Sequence, residues 1–449
     1  MVADEKYEFK GATKTKLVIL AIVGIVLFAI GVLLAMRTGH EEHEPAGKVS
    51  VEVAKNLVAT NESPAASEAP EGEHSETAPW IKRIFASLWM NNVYFIGIGI
   101  IGLFFVAIQF AAQAGWATPV TRIPLAIGSW IPYAGILLLV SWFIVKHDVF
   151  HWTHADLYKP VEEGGDKIIQ GKSGLWYWPM KSGTFPVFYI ARMVVFFGLW
   201  YLFFKWIKKE MLAQDEDGSV EHWYTARKFS AIFLIIFAVS SSIAAWDWVM
   251  SIDPHWYSTM IGWYIFASWW VTGLAAITLI VINLKDAGYL KIVNPNHLHD
   301  LGKFMFAFSI FWTYIWFSQF LLIYYANIPE ETIYFIERLK NPPYSWVFYA
   351  NLFLNFVFPF LLLMTRDAKR QSSMLKVVCP IILLGHWFDF YNLVTPGVMQ
   401  EKGGIGFLEI GMTLIFAAGF LFVVLSNLAK VPLVAKHDPL MEESLHHHI

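Results

Sequence analysis

The residues with chemistry to offer are three ionisable side chains inside long apolar segments: Asp247, His386 and Asp389. A charged side chain at the centre of a bilayer costs about 2.5 to 3.5 kcal/mol on insertion scales, so each of them needs a reason to be there. His386 and Asp389 are three positions apart and would share one face of a helix. A carboxylate beside an imidazole can take a proton from a hydroxyl group and pass it on. We therefore predict that these three are catalytic residues that transfer protons.

A structural role for the same residues stays open, because His386 and Asp389 could bond each other or a backbone carbonyl inside a helical bundle. Other polar side chains at membrane depth could line a pocket with them. These are Arg192, Gln319, Asn351, Asn355 and Glu409. Most of the set falls in the same half of the predicted spans. This distribution predicts a polar cavity that opens to one side of the membrane.

The stretch Trp-Asp-Trp-Val-Met-Ser-Ile-Asp-Pro-His-Trp-Tyr-Ser-Thr, at 246–259, places Asp253 and His255 between tryptophans typical of a membrane interface. Asp253 precedes Pro254, so an Asx turn or a helix cap is the structural alternative for it. Asp247 lies deeper in the same stretch, and no such turn accounts for it. We therefore give Asp247 more weight as a proton-transfer residue.

Three histidines, His147, His151 and His154, recur at helical spacing with Asp148 and Asp156 beside them. This pattern could hold a metal ion, but no second cluster of ligands accompanies it. Exposed histidine and aspartate are ordinary surface residues. We favour an interfacial helix that contacts a partner protein, and we predict no metal site in the chain.

The composition limits the class of protein. The 449 residues are 56% hydrophobic and only 15% charged, which excludes an ordinary soluble enzyme, and the net charge of −3 offers no basic field for nucleic acid. The single cysteine, Cys379, excludes a disulfide within the chain, covalent haem attachment and an iron–sulfur cluster held by this chain alone. A membrane haem b needs paired histidines, whereas His386 is the only histidine deep in a span. No cofactor is therefore expected on the chain itself.

About 20 apolar residues are needed to cross a bilayer as a helix, and ten such stretches occur. They are Leu17–Met36, Leu88–Ala112, Ile123–Val145, Phe185–Ile207, Phe229–Met250, Ile261–Leu284, Phe304–Tyr325, Tyr344–Met364, Val377–Val394 and Ile405–Leu428. The predicted fold is all-α, a polytopic membrane protein with about ten transmembrane helices. Spans two to five and six to nine would form two four-helix bundles, with spans one and ten peripheral.

The predicted domains follow from these spans. They are 1–36 (cytoplasmic start and first helix), 37–87 (acidic outer tether), 88–250 (first bundle), 251–394 (second bundle) and 395–449 (last helix and cytoplasmic tail). Dense lysine and arginine clusters lie before the first span, after the fourth and after the eighth, and cytoplasmic loops carry such an excess. Both termini are therefore predicted to be cytoplasmic. The histidines at 446–448 predict a disordered tail.

The stretch 246–259, followed by Gly262, resembles the second large integral membrane subunit of bacterial alternative complex III, a quinol:cytochrome c oxidoreductase. The ten-span layout with a long outer loop after the first span also resembles that subunit, so the likeness covers nearly the whole chain. More distantly, the chain resembles the membrane subunits of the polysulfide reductase family. Those subunits pack two four-helix bundles and handle quinones without a bound redox metal.

The resemblance implies a multi-pass subunit of the bacterial inner membrane. It also implies partners that include a multihaem cytochrome c, an iron–sulfur protein and a homologous membrane subunit, with haem c and iron–sulfur clusters held by the partners. Quinol would be the substrate, and the homologous subunit is the better supported site of its oxidation. For a quinol bound to this chain, the candidate contacts are Arg192, Asn351, Asn355, Asp253 and His255.

The leading hypothesis is a subunit that contributes a quinol-facing or proton-conducting cavity near the outer face, with catalysis belonging to the assembly. One alternative is a structural anchor without its own quinone site, whose polar residues only lock helices together. Another is a secondary transporter, which would show ion or solute flux in liposomes that contain this chain alone. The sequence leaves all three open.

Overall fold

A computed structural model describes residues 5–41 and 77–447, with the backbone alone for 38–41. Those residues form helices and turns and contain no β-strand; one isolated bridge pairs Lys6 with Pro432. Ten of the described helices are long and apolar enough to cross a membrane. The prediction of an all-α polytopic membrane protein is confirmed. Most of the predicted tether, residues 42–76, lies outside the described residues.

The ten membrane helices extend beyond most of the predicted spans. They are α1 Gly11–Glu41, α2 Pro79–Ala112, α3 Ile131–Val149, α4 Val187–Asp217, α5 Val220–Trp248, α6 Ile261–Asp286, α7 Pro295–Ala326, α8 Pro342–Leu362, α9 Ser372–Met399 and α10 Phe407–Leu428. The extra length comes from polar residues that continue a helix past the apolar run, as residues 208–217 do in α4. Helices α2, α7 and α8 open on proline, which presets the backbone angle and needs no intrahelical donor there.

Helix α8 is irregular in its middle. Residues Phe353–Val357 form a π-helical turn, a feature that is frequent at functional sites. Asn355 lies in this turn, and Asn351 lies about one helical turn before Asn355. Both amide side chains are buried, so the irregular part of α8 presents polar groups to the protein interior.

Helices α2 and α6 are the most enclosed and form the centre of the molecule. Helices α2 to α5 contact one another in a closed ring, and α6 to α9 form a second ring, joined to the first through α2, α5, α6 and α9. Helix α10 packs on α2, and α1 packs along α10. The backbones of α1 and α10 come close at Gly411, where a Cβ would lie only 2.3 Å from the backbone nitrogen of Phe28.

Both ends of the described chain lie on one face, which we call the terminal face. The backbone N–H of Leu433 donates to the carbonyl of Glu5 at 2.8 Å. Beyond the short helix Met441–Leu445, His447 Nε2 lies 2.6 Å from Asp300 Oδ2. The prediction of a disordered tail is therefore wrong for His447, because a carboxylate on α7 holds it. We call the other end of the bundle the opposite face.

The connection between α3 and α4 is a folded cap on the opposite face rather than one helix. Helix α3 ends at Val149 because the Thr153 hydroxyl bonds the carbonyl groups of Lys146 and Phe150, at 3.1 and 2.8 Å, and so terminates the helix. His147 therefore lies in the last turn of α3, and the other two loop histidines lie beyond it. The predicted interfacial helix through all three, His147, His151 and His154, is wrong.

Candidate functional site

Asp389 is the centre of a buried polar cluster in the second ring of helices. It lies about 15 Å along α9 from the helix end at the opposite face, at a rise of about 1.5 Å per residue. Its carboxylate accepts hydrogen bonds from the Tyr264 hydroxyl and from Ser268 Oγ (2.5 Å), both on α6. Trp312 Nε1 on α7 and Asn351 Nδ2 on α8 donate as well, at 3.1 and 3.0 Å. These five residues are the Asp389 cluster.

The donors of the Asp389 cluster match a carboxylate. An ionised carboxylate only accepts hydrogen bonds, and every group that points at Asp389 here can donate one. The Asp389 side chain is almost fully buried, so water does not compete for its oxygens. Helices α6, α7 and α8 are thereby tied to one titratable group on α9. The Asn355 amide donates to the Asn351 side-chain oxygen and so helps to fix the orientation of the Asn351 amide.

His386 lies one turn from Asp389, as the spacing predicts. Its Nδ1 is 3.8 Å from Asp389 Oδ2, which is too long for a hydrogen bond. The imidazole packs edge-on against Trp312, with ring centroids 5.4 Å apart. Among the described residues neither ring nitrogen has a hydrogen-bond partner, although the side chain is fully buried. A buried polar group in this state costs about 1 to 3 kcal/mol, so helix locking alone does not explain His386.

A small cavity of about 30 Å³ extends from Asp389 toward the opposite face. Its wall includes Gln319 and Asn392, and neither amide atom of Asn392 has a hydrogen-bond partner in the described part of the chain. One water needs about 10 to 15 Å³ of such space, so the cavity has room for about two. Pockets that enclose a small organic ligand measure about 300 to 1,000 Å³. The cavity therefore suits water and protons, not a quinone ring.

A short amphipathic helix, Pro329–Lys340, forms the outer wall of this cavity, and we call it the surface helix. Its buried Arg338 donates to Asp253 Oδ2 at 2.9 Å and to the carbonyl oxygen of Asn392 at 2.8 Å. Burial alone would lower the pKa of the Arg338 guanidinium. The neighbouring Tyr334 and Asp253 outweigh burial and raise this pKa above its ordinary value, so Arg338 keeps its charge.

Asp247 lies outside the Asp389 cluster and has a different partner. Arg192 on α4 forms a two-pronged ion pair with it, with Nε and Nη2 at 2.7 and 2.8 Å from the two carboxylate oxygens. The pair lies between α4 and α5 in the first ring of helices. In the described ranges no hydrogen bond or ion pair links it to the Asp389 cluster, and Asp247 does not line the cavity. Arg192 and Asp247 thus neutralise each other's charge and share two hydrogen bonds.

Asp253 and His255 also have defined partners on the opposite face. Asp253 pairs with Arg338 of the surface helix, so its side chain forms an ion pair instead of the Asx turn considered above. His255 Nε2 lies 2.5 Å from Asp166 Oδ2 in the folded cap. Burial would raise the pKa of Asp166, but hydrogen bonds from Ile169 and His255 hold it below its ordinary value. The stretch 246–259 therefore binds both the cap and the surface helix.

The structure thus divides the predicted site residues into separate groups. His386, Asp389, Asn351 and Asn355 come together, whereas Arg192 with Asp247, Asp253 and His255 lie elsewhere. In the described residues, no group of three or more histidine, cysteine, aspartate or glutamate side chains could hold a metal ion. Sequence reasoning missed Tyr264, Ser268, Trp312 and Arg338. The spacing of Tyr264 and Ser268 on one helix face was the only available signal.

Comparisons with known proteins assign the chain to no family. A scan with protein-family models found no match to the chain, and a search of curated protein sequences found none either. The class that the fold defines is an all-α polytopic membrane protein with ten candidate spans in its described residues.

Proposed function

We propose that the chain is an integral membrane subunit of a respiratory quinol:cytochrome c oxidoreductase of the alternative complex III class. In this proposal the terminal face is cytoplasmic, the membrane is the bacterial inner membrane, and the Asp389 cavity conducts protons near the outer face. The observation that carries the proposal is a buried carboxylate that four neutral donors hold at membrane depth. Beside it lie a water-sized cavity and an imidazole that has no hydrogen-bond partner among the residues that the structure describes.

The size of the Asp389 cavity favours the proton-conducting version of the leading hypothesis for this site. A quinol gives up electrons and protons on oxidation, and a site for its ring needs far more space than about 30 Å³. The ring would bind on the homologous subunit, and its electrons would pass to iron–sulfur clusters and haem c of the partners. This chain would take part in moving the protons.

The residues of the Asp389 cluster define the proton step. The Asp389 carboxylate accepts a proton on one oxygen and becomes neutral, and it then returns that proton to water in the cavity. His386, with Nδ1 3.8 Å from the carboxylate, can hold a proton on the inner side of Asp389. Both groups end the cycle as they began it, so the chain undergoes no net change. The hydroxyl, indole and amide donors hold the carboxylate in place throughout.

The test is the rate of quinol oxidation per haem in the assembled complex. Asp389→Asn keeps the size of the side chain and removes its proton affinity. We expect the rate to fall by at least about 10²-fold, the lower end of what a positioned acid–base group contributes. Asp247→Asn is the matched control, because it removes a buried carboxylate outside the cavity, and it should leave the rate per haem unchanged.

The structural anchor is the second candidate function, and the paired charges favour it. Ion pairs join separate elements of the fold at three places: Arg192 with Asp247, Arg338 with Asp253, and Arg83 with Glu409 at 2.5 Å. In an anchor, Asp389→Asn would reduce the amount of assembled complex and leave the rate per haem at the wild-type value. That result would reject the proton-conducting role.

A further inference from the structure

The surface helix separates the Asp389 cavity from the opposite face. Among the longer helices of the described residues it is the most amphipathic, and its inward side chains Tyr334, Phe335 and Arg338 line the cavity. Tyr334 stacks on Trp256 with ring centroids 3.8 Å apart and an angle of 8° between the planes. Trp256 also lines the cavity, so this stacked pair and Arg338 together form its outer end. A proton that leaves Asp389 through this end of the cavity passes these groups.

Every polar group of Arg338 is fixed. Its Nη2, Nε and Nη1 donate to Asp253 Oδ2, the Asn392 carbonyl and the Tyr334 carbonyl at 2.9, 2.8 and 2.8 Å. The guanidinium carbon lies 3.4 Å from the centre of the Tyr334 ring. The Arg338 side chain is 3% exposed, whereas that of Asp253 is 21% exposed. The cation is therefore enclosed in the wall, and its carboxylate partner reaches solvent.

The ionisable groups in contact with Arg338 set the charge at this exit. Apart from Asp253, Glu337 lies 3.9 Å from Arg338 Nη1, and Tyr334 is neutral because burial raises its pKa to about 12. A fixed cation beside a narrow passage repels protons and other cations. Asp253 opposes this repulsion because it neutralises the guanidinium. The balance of the two charges sets the field that a departing proton meets.

We infer that Arg338 and Asp253 form an electrostatic gate at the outer end of the Asp389 cavity and control the release of protons from Asp389 to the opposite face. Arg338 is a positioning residue here: it neither accepts nor donates the transferred proton. The proton moves from the Asp389 carboxyl to cavity water, past the ion pair, and into solvent beside Asp253. This inference rests on the proposed proton-conducting function, and it adds the residues that limit the exit.

The experiment follows the protonated Asp389 carboxyl by time-resolved infrared difference spectroscopy of the whole complex during quinol oxidation. The carbonyl stretch of the neutral acid, identified by its loss in Asp389→Asn, reports proton uptake, and its decay reports release. Arg338→Gln leaves Asp253 uncompensated, and the decay should become about tenfold faster, which corresponds to a barrier lower by about 1.4 kcal/mol. Asp253→Asn leaves Arg338 uncompensated, so the decay should become slower by a similar factor.

Opposite effects of Arg338→Gln and Asp253→Asn on the decay rate distinguish an electrostatic gate from a loosened surface helix. A loosened helix would change the decay rate in the same direction in both variants. Arg338→Lys retains the charge and should retain most of the wild-type decay rate. Lys340→Gln, which removes an exposed charge from the same helix, is the control and should change nothing. Equal decay in wild type and Arg338→Gln, or changes of one sign in both variants, would overturn the gate. Absence of the carboxyl band in wild type would instead reject the proposed function.

Discussion

At the scale of single residues, two buried aspartates in one chain have different partners and so different roles. Asp247 lies in a two-pronged ion pair with Arg192, which cancels its charge. Asp389 is bound by neutral donors, and the imidazole of His386 near it lacks a hydrogen bond in the described part of the chain. A charge held by neutral dipoles can gain and lose a proton without breaking an ion pair. This difference favours Asp389 over Asp247 as the proton carrier.

The Arg192–Asp247 pair gives a prediction about stability. Arg192→Leu leaves a buried carboxylate without its partner, and loss of one member of a buried pair costs about 3 to 5 kcal/mol. The melting temperature of the complex should fall, and the quinol oxidation rate per haem should not. The double variant Arg192→Leu with Asp247→Leu removes both charges and should recover most of the stability. A single variant with normal melting and slow turnover would show that the pair serves catalysis.

At the scale of elements, the second ring of helices is organised by polar groups that each helix contributes. Helix α6 supplies a hydroxyl pair, α7 an indole, and α8 an amide from beside its π-helical turn. The surface helix joins α7 to α8 and closes the cavity. The elements at the edge are joined differently, since α1 and α10 meet through small residues that let their backbones approach closely.

The contact between α1 and α10 gives a prediction with a matched control. A methyl group at Gly411 would lie 2.3 Å from the Phe28 backbone nitrogen, so Gly411→Ala forces the two helices apart. Such overpacking costs about 1 to 3 kcal/mol and should lower the melting temperature of the complex. A methyl group at Gly419, on the same helix, meets no atom within 4 Å, and Gly419→Ala should melt like the wild type. Equal melting of both variants would refute the close contact.

At the scale of the whole molecule, the number of helices and the His386–Asp389 face were predictable from the sequence. Apolar length and helical spacing are local properties of a chain, so they can be read without the fold. The partners of Asp389 were not predictable, because tyrosine, serine and tryptophan in a membrane helix are equally typical of packing and interface belts. Arg338 was missed for a related reason: it lies in a polar connection, and only the fold brings it to Asp253 and Asn392.

The direction of proton release tests the central claim most directly. The purified complex is placed in sealed vesicles with a known orientation, quinol and oxidised cytochrome c are supplied, and pH is recorded on the side of the opposite face. Wild type and Asp247→Asn should release protons there with each turnover, and Asp389→Asn should release few or none. If Asp389→Asn releases protons on that side at the wild-type rate and yield per haem, then the buried carboxylate of α9 is not part of the proton path.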